Sequence, residues 1–319
     1  MPSHDEILAR LRPSLATLEA ERRSLLIKRN TGRIWITGFL LGGLLLTFLL
    51  SKNGAFAGLI TLVIAAIGAL ICHSIFFNAT NARYQQGFKH KVVSKVVKTL
   101  APQINFHPSQ FISKDWFIRS QLFARPDRYR GEDYFIGKIG KTELFFSEVH
   151  AEQKHTSTDS KGHTKTHYTT LFKGIFLIAD FHKEFRSKVT VTPDKLEGFG
   201  FLGKKLQQLG GRVERMENVE FERLFVVRAS DPVEARYILT PTMQERFIEL
   251  TRKWTPEIRA SFQDSLVYLA LPTKSDWFEG DIKTSVADPH QFRNLVAQLS
   301  ACLSTVEDLD LNTRIWTKE

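Results

Sequence analysis

Two apolar runs separated by four residues constrain this chain more than anything else in it. "IWITGFLLGGLLLTFLL" (Ile34–Leu50) holds 17 residues without a charge, and "AFAGLITLVIAAIGALICHSIFF" (Ala55–Phe77) holds 23, with His73 intruding near its end. About 20 apolar residues cross a bilayer core, and a slightly short span is accommodated by local thinning. Only "SKNG" joins the runs, so residues 34–77 are expected to form a tight antiparallel transmembrane hairpin with spans 34–50 and 55–77. A cleavable signal peptide is a poor fit, because the first run starts late and a second span follows at once. Forty nearly continuous apolar residues also exceed what a soluble core hairpin buries.

Charge locates the hairpin. The net charge of +10 is concentrated on its flanks. Upstream stand Arg22, Arg23, Lys28, Arg29 and Arg33 against Glu19 and Glu21; downstream stand Arg83, Lys89, Lys91, Lys95 and Lys98 with no acid among them. Such clusters are drawn to anionic headgroups, at about 1 kcal/mol per Lys or Arg. Their place beside the spans assigns these ten residues to the membrane interface, and no nucleic-acid role is expected despite the basic pI. The connecting loop has only Lys52, so the positive-inside bias puts both termini in the cytoplasm of an inner membrane. The two cysteines, Cys72 and Cys302, form neither a disulfide framework nor a CxxC site, which fits a reducing compartment.

Small residues predict how the spans pack. Gly38 and Gly42 form a GxxxG, and Ala65 with Ala69 repeats the spacing in the second span. Packing within one hairpin is the simpler expectation, and oligomerisation through the same face is the alternative. Outside the bilayer, residues 1–33 read as an amphipathic helix, with capping-box spacing at Ser3 and Glu6 and a kink or break at Pro13. Residues 78–101 read as a basic juxtamembrane helix in which Tyr84, Phe88, Val92, Val96 and Leu100 keep helical spacing. The two apolar stripes are placed to cover each other as a short stalk.

From 102 to 319 the texture is that of a globular domain. "SKDWFIRSQLF" reads as a short helix, and "DYFIGKIG" with "TELFFSEV" as strands about a Gly-Lys turn. "HYTTLFKGIFLIADF" is apolar on both faces at Ile175–Ile178 and is expected to be central, with "KVTVT" closing a meander. "FERLFVVR" reads as a strand, "DPVEARYIL" and "TMQERFIELTRKW" as helices, and "IRASFQ" with "LVYLALP" as a hairpin about Asp264-Ser265. A last helix begins near Asp288, with Pro289 at its first position. Strands in runs with helices between and after them give an α+β class: a membrane hairpin extended by amphipathic helices, then a mainly antiparallel sheet with flanking helices. "GFGFLGKKLQQLGG" lacks the phosphate-loop pattern and reads as turns around a short helix.

The order of "GEDYFIGKIGKTELFFSEVHAE" (Gly131–Glu152), "LFKGIFLIADFHKEF" (Leu171–Phe185) and "FERLFVVRASDPVEARYILTP" (Phe221–Pro241) resembles a bacterial domain family of unknown function. That family has two N-terminal membrane helices and a cytoplasmic domain. The resemblance implies the architecture and a bacterial inner membrane. It brings no activity and no catalytic residues.

Chemistry is sparse. There is no GxSxG, HExxH or CxxC, so no catalytic residue and no cofactor are expected. Glu132 and Asp133 are adjacent and point to opposite faces of a strand, as a solvated or turn-capping pair; Glu143, Glu148 and Glu152 lie along the next strand. Four of ten histidines lie in "HAEQKHTSTDSKGHTKTH" (His150–His167). With a hairpin centred on Ser160, position 155 faces 165, and His155, His163 and His167 share a face as weak candidate zinc ligands. Lys165 on that face, with Lys154 and Lys161 nearby, opposes a cation, so a polar hairpin tip is the expectation. The expected function is a non-enzymatic interaction or assembly module on the membrane, with a protein partner or a second copy. The alternatives are a metal-dependent protein or enzyme acting on lipid or envelope precursors, and a lipid-binding module.

Overall fold

The computed structural model describes residues 4–50, 55–158, 162–181, 183–194, 211–309 and 311. The chain divides into two compact units, Met1–Val96 with Glu279–Val296, and Val97–Phe278 with Ala297–Glu319.

In the first unit, helix α1 (His4–Leu50) runs unbroken through Pro13, so the expected break does not occur. Helix α2 (Ala55–His73) continues through a π-helical turn (Ser74–Asn78) into α3 (Ala79–Phe88), then a second π turn (Lys89–Val93) and α4 (Ser94–Leu100). Two helices, Leu15–Leu50 and Gly58–Leu100, are long and apolar enough to cross a membrane. Their apolar side chains face outward: Ile34, Leu44, Leu45, Phe48, Leu59, Ile64 and Leu70 are all exposed. A water-soluble helix pair would bury such a face, whereas lipid is as apolar as the side chains themselves.

The two helices meet at Ala65, which the sequence motif named, but opposite Gly43 rather than Gly38 or Gly42. A Cβ on Gly43 would fall 2.2 Å from the Ala65 Cβ, and one on Gly68 would fall 2.9 Å from the Phe39 ring. A Cβ on Gly38 or Gly42 would meet nothing within 4 Å; both line an apolar groove of about 220 Å³ together with Ala65. Thr47 and Thr61 exchange a hydroxyl hydrogen bond of 2.8 Å across the pair. Beyond the spans, Leu15, Leu18 and Leu25 are buried, as are Tyr84, Phe88 and Val92. The stripes bring polar groups in with them. Arg22 and Lys89, expected at headgroups, are buried. Arg22 pairs with Glu19 at 2.6 Å and donates to the carbonyl of Ile282. Glu21 takes Lys91 at 2.7 Å and Arg83 at 3.4 Å. Arg23, Lys28, Arg33, Arg83, Lys95 and Lys98 remain exposed, and Arg29 lies over the Phe77 ring at 5.0 Å.

Among the described residues, the second unit has nine strands: β1 (Ile104–His107), β2 (Arg128–Ile139), β3 (Thr142–Thr158), β4 (Thr164–Asp180), β5 (Val189–Pro193), β6 (Arg212–Glu214), β7 (Phe225–Ala229), β8 (Arg259–Gln263) and β9 (Leu266–Pro272). Among the described residues they form one antiparallel sheet in the order β1-β2-β3-β4-β9-β8-β5-β7-β6. The central β4 is buried at Ile175–Ile178, as its apolar run predicts. "KVTVT" does not close a meander. The β8–β9 hairpin lies between β4 and β5, so β5 pairs with β8 and β7. That hairpin turns at Asp264 and Ser265, both with positive φ, as a two-residue hairpin turn requires.

Short helices complete the unit: α5 (Lys114–Arg119), α6 (Val219–Leu224), α7 (Pro232–Ile238) and α8 (Pro241–Lys253). The "FER" of the expected strand "FERLFVVR" is helical. Asn218 caps α6 by accepting from the Glu220 and Phe221 amides, and β7 starts only at Phe225. Asp231 and Thr240 cap α7 and α8 with proline at the first turn of each. Helix α9 (Pro289–Asp308) follows the Asp288 cap, which accepts from the His290 amide at 2.7 Å. The glycine-rich stretch 198–210 and Ser160 lie outside the described residues.

One sheet face packs Val149, Ala151, Phe172, Phe176 and Ile178 against Ile112, Phe117 and Phe123 around α5. The other face carries Leu144, Phe146, Ile175 and Leu177, with Phe135 stacked on Phe146 at 4.4 Å and meeting Phe278 at 4.9 Å.

Candidate functional site

Antiparallel pairing aligns residues into rungs across neighbouring strands, and side chains on one rung share a face. On the face of Phe146, one rung is Glu132 on β2, Glu148 on β3 and Ile175 on β4. The next is Arg130, His150 and Lys173. An acidic rung and a basic rung thus lie two residues apart along the strands, roughly 7 Å. Together with Asp276, from the segment after β9, they line a cavity of about 260 Å³.

Glu148 is the unusual member. Its residue surface is 5 % exposed. The Trp277 amide donates to Oε2 at 2.9 Å, and no donor from the protein meets Oε1. Burial, opposed only in part by that amide, pushes its carboxyl up to about 8, and the neighbouring carboxylates of Asp276, Asp133 and Glu132 add to the rise. Glu148 also reaches the Asp276 carboxyl, a contact of two acceptors that is favourable only with a proton between them. Asp276 itself is held down by Lys173, 2.7 Å away. Arg130 and His150 Nδ1 lie 2.7 Å apart, with Thr170 at 3.2 Å from Nε2. Burial, and then Arg130, lower the His150 pKa, so the ring accepts from the guanidinium as a neutral imidazole.

Local backbone features set this geometry. A bulge between Glu132 and Phe135 puts Asp133 at φ +59 with its side chain buried, so the expectation that "GEDYF" carries a solvated acidic pair fails for Asp133. Gly174, next to Lys173, has φ +151, and a Cβ there would meet the Leu271 carbonyl oxygen at 2.3 Å. Only glycine lets β4 approach the end of β9 so closely. Cys302 of α9 lies behind the floor, fully buried, its thiol pushed up by burial and then by Glu148.

The predicted histidines separate. His150 is in the groove. His155 pairs with His167, not with Lys165, and their rings stack at 5.1 Å. The pairing of Thr158 with Thr164 centres the ribbon on position 161 rather than on Ser160, which moves each partner by two from the assumed register and keeps His155 and His167 on one face. His163 lies just before the start of β4, four positions from His167. Among the described residues, no group of three or more His, Cys, Asp or Glu is placed to hold a metal ion. Of the other acids on β3, Glu143 is exposed and pairs with Lys138 at 2.7 Å, while Glu152 is half-buried.

Residues 170–311 match the family model "Protein of unknown function (DUF3137)". That match begins in β4 and takes in Lys173, Asp276 and Cys302, while Arg130, Glu132, Glu148 and His150 precede it. No curated protein and no solved structure matches the chain.

Proposed function

We propose that this chain is an integral protein of a bacterial inner membrane, with two spans, both termini in the cytoplasm, and a sheet domain that serves as a non-enzymatic protein-interaction or assembly module. The outward apolar faces of the two helices support the anchor. The exposed Arg23, Lys28, Arg33, Arg83, Lys95 and Lys98 beside the spans support the orientation and contact with anionic headgroups.

The observation that carries the interaction role is the β3–β4 ribbon. Pairing with β2 ends at Glu152, and pairing with β9 ends at Gly174. Among the described residues, the strands from Gln153 to Thr158 and from Thr164 to Thr169 pair with each other alone, apart from the Lys154 amide, which donates to the Asp127 carboxylate at 2.7 Å. Their outer edges offer backbone donors and acceptors to an added strand, and the polar Thr, Lys and His side chains guard against unspecific edge pairing. A two-stranded ribbon is marginal alone, so a partner would order it.

The test replaces residues 153–169 by a two-residue Asn-Gly turn and measures particle mass after gentle solubilisation. The full chain is expected in a complex heavier than the monomer, and the shortened chain in a lighter one with unchanged thermal unfolding. A monomeric full chain, or an assembly indifferent to the ribbon, would refute the reading.

A second reading, an enzyme at the membrane surface acting on lipid or envelope precursors, is favoured by one observation. Glu148 is a buried carboxyl that exchanges its proton near neutral pH inside a groove, as acid–base groups do. Turnover of such a precursor that is lost on Glu148→Gln would support it over the first.

A further inference from the structure

Among the described residues lining the groove, Glu148 offers a buried oxygen that no protein donor reaches. Glu148 Oε1 is buried at the floor without a donor. The cations on the neighbouring rung are already engaged, Lys173 with Asp276 and Arg130 with His150. An anion entering here would displace those contacts and lie beside Glu132 and Asp276. A cation meets the opposite field, since Glu132, Asp133 and Asp276 all place negative charge toward Glu148. An ammonium group also brings the N–H donors that an ionised Glu148 lacks. The volume is about eight or nine waters at roughly 30 Å³ each, so the occupant is small.

We infer that this groove binds a small ligand bearing a primary ammonium group, held on the Oε1 oxygen of Glu148. Binding does not depend on the ribbon or on the membrane, so it stands or falls apart from the proposed assembly role. It is linked to proton release, because the ammonium pairs with the carboxylate form of Glu148. The groups facing Glu148 are Arg130, Glu132 and Asp133 from β2, His150 from β3, Lys173 from β4, Asp276 after β9 and Cys302 from α9. Of these, burial lowers His150 from its usual value and raises Cys302 well above its own, so both move away from Glu148, whose carboxyl is pushed up to about 8.

The experiment titrates the full chain in detergent with propylamine, 4-aminobutyrate and butyrate by calorimetry at pH 6, 7 and 8. Propylamine is expected to bind about fiftyfold more tightly at pH 8 than at pH 6, the ratio of ionised Glu148 at those two pH values. 4-Aminobutyrate is expected to bind no more tightly than propylamine, because Arg130 and Lys173 are already engaged; markedly tighter binding would overturn the preference for a cation alone. Glu148→Gln is expected to lose at least tenfold in affinity and all pH dependence. Infrared difference spectra of the wild-type chain give a readout independent of the variant: propylamine at pH 7 should convert a protonated carboxyl band into a carboxylate band. No amine binding, butyrate binding as tightly as the amines, or an unchanged carboxyl band would overturn the assignment.

Discussion

Replacing Glu148 by glutamine should make the protein more stable at alkaline pH and nearly unchanged at acidic pH. Gln keeps an acceptor for the Trp277 amide and gains an NH₂ donor toward Asp276, so the folded contacts survive. What disappears is the ionisation. In the unfolded chain a glutamate titrates near its usual value of about 4.3, whereas in the fold Glu148 titrates at about 8. Between those values the folded state holds a proton that the unfolded state has released. Raising the pH through this window therefore favours unfolding, and the loss is complete above the folded value. At about 1.4 kcal/mol per unit over some 3.7 units, the upper bound is about 5 kcal/mol. Relaxation of the groove and entry of water would reduce it, to about 2–3 kcal/mol on the usual scale for a buried ionised group. The assay is denaturant unfolding of wild type and variant in the same detergent, at half-unit steps from pH 5 to pH 9. The variant's advantage should grow with pH and level off above 8. A difference that stays flat, or that favours wild type as pH rises, would show that Glu148 is solvated and that the groove has no desolvated carboxyl.

Two further perturbations test the other unit. Gly43→Val should separate the spans, because its side chain collides with Ala65, and disulfide cross-linking of cysteine pairs placed across the helices should fall; Gly42→Ala, with open space at its Cβ, should leave cross-linking unchanged. Glu19 is lowered to about 2, first by Arg22 and also by the Val286 amide, so its contribution is present above the unfolded value and is lost as pH falls toward 2. Glu19→Gln should cost up to about 3 kcal/mol at pH 7 and progressively less in acid, read by the same unfolding assay.

What the sequence made legible was whatever depends on neighbours along the chain. The two apolar runs, the proline-led helices α7, α8 and α9, and the Asp264-Ser265 turn are all set by local chemistry, and each appears where its residues place it. Most failures came where a distant partner decided; the exception is "FER", which is helical because Asn218, three residues before Phe221 and outside the apolar pattern, caps it. β5 left the expected meander because a hairpin some seventy residues later in the chain inserts beside β4. Arg22 and Lys89 looked like headgroup ligands because their charge was visible and their burial was not. Within the spans, the GxxxG motif named small residues correctly as a class, but Gly43, one position on, faces the second helix, since rotation about a helix axis is set by the partner.

The groove illustrates the same limit and also the signal that points past it. Its members come from β2, β3, β4 and the segment after β9, so no spacing in the sequence joins them. Parity does single out Glu148. In "TELFFSEVHAE" it falls on the face of Leu144 and Phe146, both buried, where a strand in the middle of a sheet places core side chains. Desolvating a charge there is costly unless it is paired or neutralised, so a glutamate at such a position implies a proton held near neutral pH, a partner, or a ligand. Trp277 supplies a partner for one oxygen only. The second oxygen is where the fold carries a cost that folding alone does not explain, and that makes it the atom on which a ligand would act.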